Sequence, residues 1–165
     1  MLARARHRFG QFFGALRPHV SATERDDAYR YLAAGERRLF ETMMLRDQQH
    51  GTAVYRRVRA ASDGEDPALF AAALLHDCGK GQMMLWQRVA HVVLGFATPG
   101  LREALAAEHG AGWRRAFWRL LYHPEIGAEL AARAGADPDV VRIIREQESE
   151  RPDARLALLQ AADEA

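Results

Sequence analysis

The sequence Ala-Leu-Leu-His-Asp-Cys-Gly-Lys, at residues 73–80, brings an adjacent histidine and aspartate to the end of an apolar segment. The spacing of Leu69, Ala72 and His76 puts this histidine on the buried face of a helix predicted over 67–77. An ionised carboxylate inside a protein is costly unless it is paired or bound to a metal ion. The stretch therefore indicates a polar site inside an apolar core.

The rest of the chain has helical periodicity, and no segment alternates polar and apolar residues for long. Ser21-Ala-Thr-Glu24 is typical of a capping box, and Asp66-Pro67 is typical of a helix start. Helices are predicted over residues 3–16, 22–33, 36–60, 67–77, 82–95, 99–109, 112–122, 124–134, 138–149 and 153–164. Because the connections are short, we predict an all-α bundle that forms a single domain over 21–165, with an extra helix before it.

Composition restricts the class of protein. The 165 residues are 48% hydrophobic and 27% charged, which is typical of one globular domain. The net charge of +1 gives no reason to expect a nucleic-acid partner. The longest stretch without a formal charge, 89–101, is too short for a transmembrane helix of about 20 residues. With Cys78 as its one cysteine, the chain is expected in a reducing compartment, the cytoplasm.

A basic amphipathic segment occupies residues 1–20. Phe9, Phe12, Phe13 and Leu16 recur at helical spacing, and the segment contains arginines but no acidic residue. We predict that its apolar face packs on the domain. A second subunit or an anionic membrane surface is the alternative contact.

Polar residues also interrupt the apolar faces of two other predicted helices. Asp47 and His50 do so on the helix over 36–60, and Asp163 does so on the helix over 153–164. With the adjacent pair described first, His50 and Asp163 form a set of two imidazoles and two carboxylates from three helices that could hold one divalent ion. Such ligands suit Fe, Mn, Co or Zn better than Ca. Each residue alone could instead be a hydrogen-bonded core residue or a member of an ion pair.

The run His-Asp-Cys-Gly-Lys at residues 76–80 resembles the signature of the HD-domain superfamily of metal-dependent phosphohydrolases. In that superfamily a histidine lies one helix upstream and an aspartate lies near the domain end. His50 and Asp163 match these two positions in order and spacing. The segment that begins His123-Pro-Glu-Ile-Gly is similar to the HD-GYP branch and its small relatives. The resemblance spans roughly residues 36–165 and implies an HD-type helical bundle.

This resemblance implies hydrolysis of a phosphomonoester or phosphodiester by water that a divalent ion (Mn, Fe, Co, Mg or Zn) activates. Four side chains would hold the ion: His50, His76, Asp77 and Asp163. Asp77 would also bridge to a second ion, if one binds. Lys80 would bind a substrate phosphate oxygen, and His123 would bind the second ion or protonate the leaving oxygen. The substrate would be a phosphorylated small molecule, with a nucleotide as the first guess.

The chain also departs from the HD-GYP pattern. Glu146 and Gln147 replace two histidines, and no Gly-Tyr-Pro motif follows, so cyclic-di-GMP activity is not implied. Glu146 could join His123 at a second ion, whereas Gln147 shares a face with apolar residues and is predicted to point inward beside the ligands. Asp47, one helical turn before His50, is predicted to accept a hydrogen bond from that imidazole.

Lys80 is the one lysine among 23 basic residues. An ammonium is a compact point charge and a guanidinium is a wide planar fork, so a small site can require lysine. This lysine and the four ligands favour an enzyme. The two replaced histidines favour the alternative, a degenerate HD domain that acts as a sensor or scaffold module.

Overall fold

The computed structural model describes residues 19–97 and 99–165. The helix predicted over 3–16 lies outside these ranges. In the described part ten α-helices follow one another, and we number them in chain order: α1 (Ala22–Tyr29), α2 (Ala34–Thr42), α3 (Leu45–Ala61), α4 (Pro67–Leu75), α5 (Leu85–Ala97), α6 (Pro99–Leu105), α7 (Gly112–Leu121), α8 (His123–Arg133), α9 (Pro138–Glu146) and α10 (Ala154–Glu164). A short 3-10 helix, Cys78–Lys80, lies between α4 and α5. The described ranges contain no strand, which confirms the all-α prediction.

The helix predicted over 36–60 is two helices, which corrects the sequence interpretation. The chain is extended at Met43 and Met44, with ψ angles of 152° and 144°. The side chain of Gln48 donates a hydrogen bond to the carbonyl of Met43 at 2.9 Å, so the end of α2 is capped from the next helix. Because neither glycine nor proline marks this break, the periodic pattern did not reveal it.

Helix α4 runs through the centre of the bundle. Its residues from Leu69 to Leu75 are all buried, as expected of a helix that is apolar on every side. It packs among buried residues of α3, α9 and α10, which include Val54, Tyr55, Val58, Ile143, Ile144, Leu156 and Leu159. The carboxylate of Asp66 starts the helix by accepting a hydrogen bond from the Leu69 amide at 3.0 Å. The residues that follow α4, His76 and Asp77, therefore lie in the interior.

A capping box begins α1, as predicted. The Glu24 amide donates to the Ser21 hydroxyl at 3.2 Å, and the Ser21 amide donates to the Glu24 carboxylate at 3.0 Å. None of the helices in the described ranges combines the length and apolar character needed to cross a bilayer.

The buried phenol of Tyr55 should make the folded state less stable at alkaline pH. Tyr55 is fully buried, its hydroxyl donates to Asp27 at 3.0 Å, and it accepts from Arg59 at 3.0 Å. Burial, reinforced by Asp27, raises its pKa above the usual 10. Because the folded state favours the neutral phenol, its contribution is complete below pH 10 and is lost as the pH rises further. The loss should approach about 1.4 kcal/mol per pH unit.

Urea unfolding at pH 8 and at pH 11 checks this expectation. Tyr55→Phe should be less stable than wild type at pH 8, and the difference should shrink at pH 11. Tyr122→Phe is the matched control, because the Tyr122 hydroxyl makes no hydrogen bond in the described residues and the side chain is exposed. An equal difference at both pH values for Tyr55→Phe would contradict the expectation.

Candidate metal centre

The adjacent histidine and aspartate lie directly after the last residue of α4. His76 keeps helical angles, and Asp77 turns the chain with φ −95° and ψ 2° into the 3-10 helix. The Nδ1 of His76 lies 2.9 Å from the carbonyl of Ala73. A carbonyl only accepts hydrogen bonds, so Nδ1 carries a proton, and the neutral imidazole would present its lone pair at Nε2. This is the tautomer that a metal ligand needs when its other nitrogen is held by the backbone.

All four predicted metal ligands converge at this point. The Asp163 Oδ1 lies 2.7 Å from the His50 Nε2 and 3.4 Å from the His76 Nε2. The carboxylate of Asp77 lies 3.4 Å from the His76 Nε2 and 4.0 Å from the His50 Nε2. Atoms that share one ion at about 2 Å are roughly 3 Å apart. Helices α3 and α10 and the end of α4 thus bring the two imidazoles to within 4.0 Å of each carboxylate.

The residues fit a divalent transition metal. The Nε2 of His76 is buried and makes no hydrogen bond within the described residues, although His76 is only 1% exposed. A buried polar atom without a partner is costly, so its position favours a ligand that is not protein. Ligand atoms of His50, His76 and Asp77 all lie within 4.8 Å of one another. Two imidazoles with carboxylates suit Mn, Fe, Co or Zn.

Lys80 brings the nearest cation to this cluster. Its Nζ lies 2.7 Å from each carboxylate oxygen of Asp77, and its side chain is 21% exposed. Because the 3-10 helix ends at Lys80, the ammonium returns over the preceding turn. Lys80 therefore stands between Asp77 and the open side of the site.

The charges around the ligands control their protonation. Burial opposes ionisation of Asp77, but Lys80 and His76 outweigh it and hold the Asp77 pKa far below its usual range. Burial is likewise outweighed at Asp163 by its hydrogen bond with His50 and by the nearby His76 imidazole, so its pKa is also lowered. At His76 burial works against the proton, yet the two carboxylates raise its pKa. Both carboxylates are therefore anionic at neutral pH and available to a cation.

His123 lies at the other side of Asp77. Its Nε2 is 3.9 Å from the Asp77 carboxylate, and its Nδ1 donates to the Leu120 carbonyl at 3.0 Å. Burial, with help from Lys80, lowers the His123 pKa to about 4. The imidazole is thus neutral near pH 7 and presents an unprotonated Nε2 to the site.

The two residues that replace the HD-GYP histidines lie in different surroundings. Gln147 is buried, as predicted, and its amide donates to the carbonyls of His76 and Ile144, both at 3.0 Å. Glu146 lies on the surface, where its carboxylate accepts a hydrogen bond from Arg142 at 3.1 Å. The structure therefore ties Gln147 to the backbone of a ligand and does not bring Glu146 to His123.

The carboxylate near His123 belongs to Glu148, which the sequence reasoning missed. Its Oε1 lies 3.7 Å from the His123 Nε2. A signal was present, since the glutamate of a His-His-Glu run falls at position 148 when Glu146 and Gln147 replace the histidines. Helix α9 ends at Glu146, and beyond this end the Glu148 carboxylate lies near His123.

Asp47 does not hold His50. Its buried carboxylate accepts a hydrogen bond from Arg88 of α5 at 2.6 Å, and the two residues form an ion pair. Within the described residues no hydrogen bond joins Asp47 to His50. The side chain of Arg88, from α5, reaches the first turn of α3 and neutralises the Asp47 carboxylate there.

A pocket of about 380 Å³ opens beside the cluster. Its walls include His76, Lys80, His123, Gln147, Glu148 and Asp163. A small ligand in this pocket would contact Lys80, His123 and the ligands of the predicted ion. The volume lies near the lower end of ordinary ligand pockets, roughly 300–1,000 Å³.

Gly79 allows the 3-10 helix to pack directly on α8. A Cβ at this position would overlap the carbonyl oxygen of His123 and would lie 2.7 Å from the Gly127 nitrogen. Gly79→Ala is therefore expected to lower the free energy of unfolding by about 1–3 kcal/mol, because backbone on both sides must move. Urea unfolding measures this loss.

Gly64→Ala is the matched control, since a Cβ at Gly64 would meet nothing within 4 Å. This variant should match wild type or be slightly more stable. If the two alanine variants were equally stable, the close contact at Gly79 would be wrong.

Comparison with known proteins identifies the family of the chain. No curated protein and no solved structure matches the chain. A family model described as HD domain matches residues 49–165, which is more than half of the sequence and includes His50, His76, Asp77 and Asp163. The chain therefore belongs to the HD domain family.

Proposed function

We propose that this protein is a metal-dependent phosphohydrolase that cleaves a phosphomonoester or phosphodiester of a small, nucleotide-like molecule. Its HD domain supports hydrolase chemistry in general. One observation carries the proposal: the buried Nε2 of His76 makes no hydrogen bond within the described residues and lies 3.4 Å from each of two carboxylates in a set of four predicted ligands. A purely structural core would not benefit from such an atom.

A divalent ion held by His50, His76, Asp77 and Asp163 would supply an activated water and neutralise charge on the phosphoryl oxygens. Lys80 would bind a phosphate oxygen, because its ammonium already lies at the mouth of the cluster and makes charge-assisted hydrogen bonds. The ion would then relieve Lys80 of its contact with Asp77.

His123 would act in its neutral form. Of the two roles that the resemblance implies, its lowered pKa favours binding of a second ion. An imidazole whose Nε2 is unprotonated has no proton there for a leaving oxygen. Gln147 would act indirectly, because its amide fixes the His76 carbonyl and hence the end of α4.

The substrate would be small and would carry few charges. Lys80 is the one cation among the residues that line the described pocket, which also include Glu148, Asp163 and Glu164. These carboxylates disfavour a chain of several phosphates unless metal ions accompany it. A cytoplasmic location is part of the proposal, because a chain with one cysteine forms no internal disulfide.

The test combines metal analysis with an activity screen. Protein purified without chelator is analysed for transition metals and assayed against phosphomonoesters and phosphodiesters with added Mn²⁺. We expect bound metal near stoichiometry, turnover, loss of both with a chelator and recovery on addition of Mn²⁺. Protein that binds no metal even with Mn²⁺ supplied would overturn the proposal and favour the sensor or scaffold module.

The second ion, if it binds, should depend on Glu148 and not on Glu146. Glu148→Gln removes the carboxylate 3.7 Å from His123, whereas Glu146→Gln removes a carboxylate that pairs with Arg142 at the surface. We expect Glu148→Gln to lower turnover by about tenfold or more. If wild type binds more than one metal ion per chain, the number bound by Glu148→Gln should fall toward one. Glu146→Gln should match wild type in both measurements, and the reverse result would contradict this assignment.

A further inference from the structure

A second pocket, of about 730 Å³, lies outside the metal centre. It is formed by the start of α3, the segment 82–85 and helix α7. Its walls are Met44, Arg46, Gln82, Met83, Met84, Leu85, Gln87, Gly112, Arg115, Ala116 and Arg119. It shares no lining residue with the pocket at the metal centre.

Three guanidinium groups give this arginine pocket a positive charge. Arg46, Arg115 and Arg119 line it, and no carboxylate is among its lining residues. The adjacent Asp47 does not compensate them, because its carboxylate pairs with Arg88. Three like charges around one cavity repel one another, so an anion between them would be stabilised.

Arg46 carries a second indication of a ligand. Its Nε is buried and makes no hydrogen bond within the described residues. Burial and the nearby Arg88 lower the Arg46 pKa, although Asp47 acts in the opposite direction. Burial of this group without a hydrogen-bond partner is unfavourable in free energy, and an anion bound beside it would remove that penalty.

Arg119 is held in position before any ligand arrives. Its Nε donates to the Gly79 carbonyl at 3.2 Å. A Cβ at Gly81 would lie 2.8 Å from the guanidinium carbon, and the φ of Gly81 is +65°, so glycine suits both the turn and this contact. A side chain that is already ordered loses less conformational freedom when it binds an anion.

Apart from Gln82 and Gln87, the side chains of the remaining wall are apolar. Met44, Met83, Leu85 and Ala116 line the pocket, and its lining residues include no aromatic ring. A nucleobase would find no ring on which to stack, whereas a flexible hydrocarbon chain packs well against thioethers. Leu85 and the neighbouring Met84 are exposed, so the apolar wall continues to the surface.

We propose that the arginine pocket binds a phosphate ester of an aliphatic alcohol. The phosphate would lie among Arg46, Arg115 and Arg119, and the chain would lie along Met44 and Met83. Guanidinium forks match phosphate oxygens in geometry and charge. A soluble alkyl phosphate and a phospholipid headgroup share this chemistry. The proposal does not depend on the hydrolase activity, because the metal centre contributes no residue to this pocket.

Calorimetric titration of hexyl phosphate in the presence of a chelator tests the proposal. Hexyl phosphate should bind wild type at least roughly tenfold more tightly than inorganic phosphate, because the chain buries apolar surface. Arg46→Gln and Arg115→Gln should each weaken it by roughly tenfold or more, since each loses a charge-assisted hydrogen bond. Arg46→Lys keeps the charge and the helix and should give an intermediate affinity.

Two controls separate this pocket from general charge and from the metal centre. Arg38→Gln changes an exposed arginine that makes no hydrogen bond or ion pair in the described residues, and Lys80→Gln changes the cation of the metal pocket. Arg38→Gln should bind hexyl phosphate as wild type does, and Lys80→Gln should keep the binding that Arg46→Gln weakens, because Lys80 does not line the arginine pocket. Unchanged binding in both Arg46→Gln and Arg115→Gln, or loss of binding in Lys80→Gln, would overturn the proposal.

Cosedimentation with vesicles identifies the source of the phosphate. Vesicles that contain phosphatidic acid are compared with vesicles of phosphatidylcholine alone. Sedimentation with phosphatidic acid that Arg46→Gln abolishes would support the pocket with a lipid headgroup as its ligand. Binding of hexyl phosphate without sedimentation would support the pocket with a soluble ester. Binding of neither would overturn the proposal.

Discussion

Replacement of Asp77 by asparagine is expected to abolish both metal binding and turnover. The Asp77 carboxylate is 2% exposed and faces His76, His50 and Lys80. Asparagine has nearly the same shape, so the variant removes a negative charge from the centre of the ligand set and little else. We expect metal affinity to fall by more than about 100-fold, because loss of a ligand should cost at least as much as loss of a residue behind one.

Equilibrium dialysis against Mn²⁺, followed by metal analysis, measures this loss. The same protein is assayed on the best substrate from the activity screen. Circular dichroism and urea unfolding then establish that Asp77→Asn remains folded. Retention of stoichiometric metal by a folded Asp77→Asn would contradict the assignment of this carboxylate.

Asp47→Asn is the matched control, because Asp47 is also an aspartate with 2% exposure beside a cation. It should lose stability by about 3 kcal/mol, since Arg88 would remain partly buried without its partner. Its metal stoichiometry should stay at the wild-type value. If Asp47→Asn lost metal as Asp77→Asn does, burial of the carboxylate and not ligation would explain both results.

The centre of the fold follows directly from hydrophobic patterning. An apolar segment long enough for a helix but too short for a membrane predicts a buried helix, and α4 is buried on every side. A histidine and aspartate at its end must then lie in the interior. His50 and Asp163 could also be predicted as members of the site, because each interrupts an apolar face at helical spacing, but their side chains are 32% and 46% exposed and do not lie in the interior. Periodicity thus predicts the members of the site, although it gives none of their distances.

What the sequence could not show depends on contacts between distant segments. Asp47 lies on the predicted face, but its partner is Arg88, which is 41 residues away along the chain. The break at Met43 and Met44 has no glycine or proline to mark it. The helix α9 ends at Glu146, and Glu148 beyond it approaches His123 whereas Glu146 does not. In each case tertiary packing determines the outcome and local pattern does not.

Lys80 should affect metal binding and turnover in opposite directions. Its ammonium lies 2.7 Å from both Asp77 oxygens, where it competes with any cation that approaches the carboxylate. Lys80→Gln should therefore bind Mn²⁺ at least as tightly as wild type. Turnover should fall by about 100-fold, because a charge-assisted hydrogen bond to the phosphate is lost at the reacting centre.

Lys80→Arg then tests why the chain keeps a single lysine among 23 basic residues. Arginine preserves the charge, but its wide fork must fit above the turn that holds Asp77, within a pocket of about 380 Å³. We expect Lys80→Arg to bind metal and to remain well below wild type in turnover. If Lys80→Arg matched wild type in turnover, positive charge alone would suffice and the compact shape of lysine would have no role.

If Lys80→Gln lost bound metal, the ammonium would support the ligand set, and the competition between Lys80 and the metal ion would be wrong.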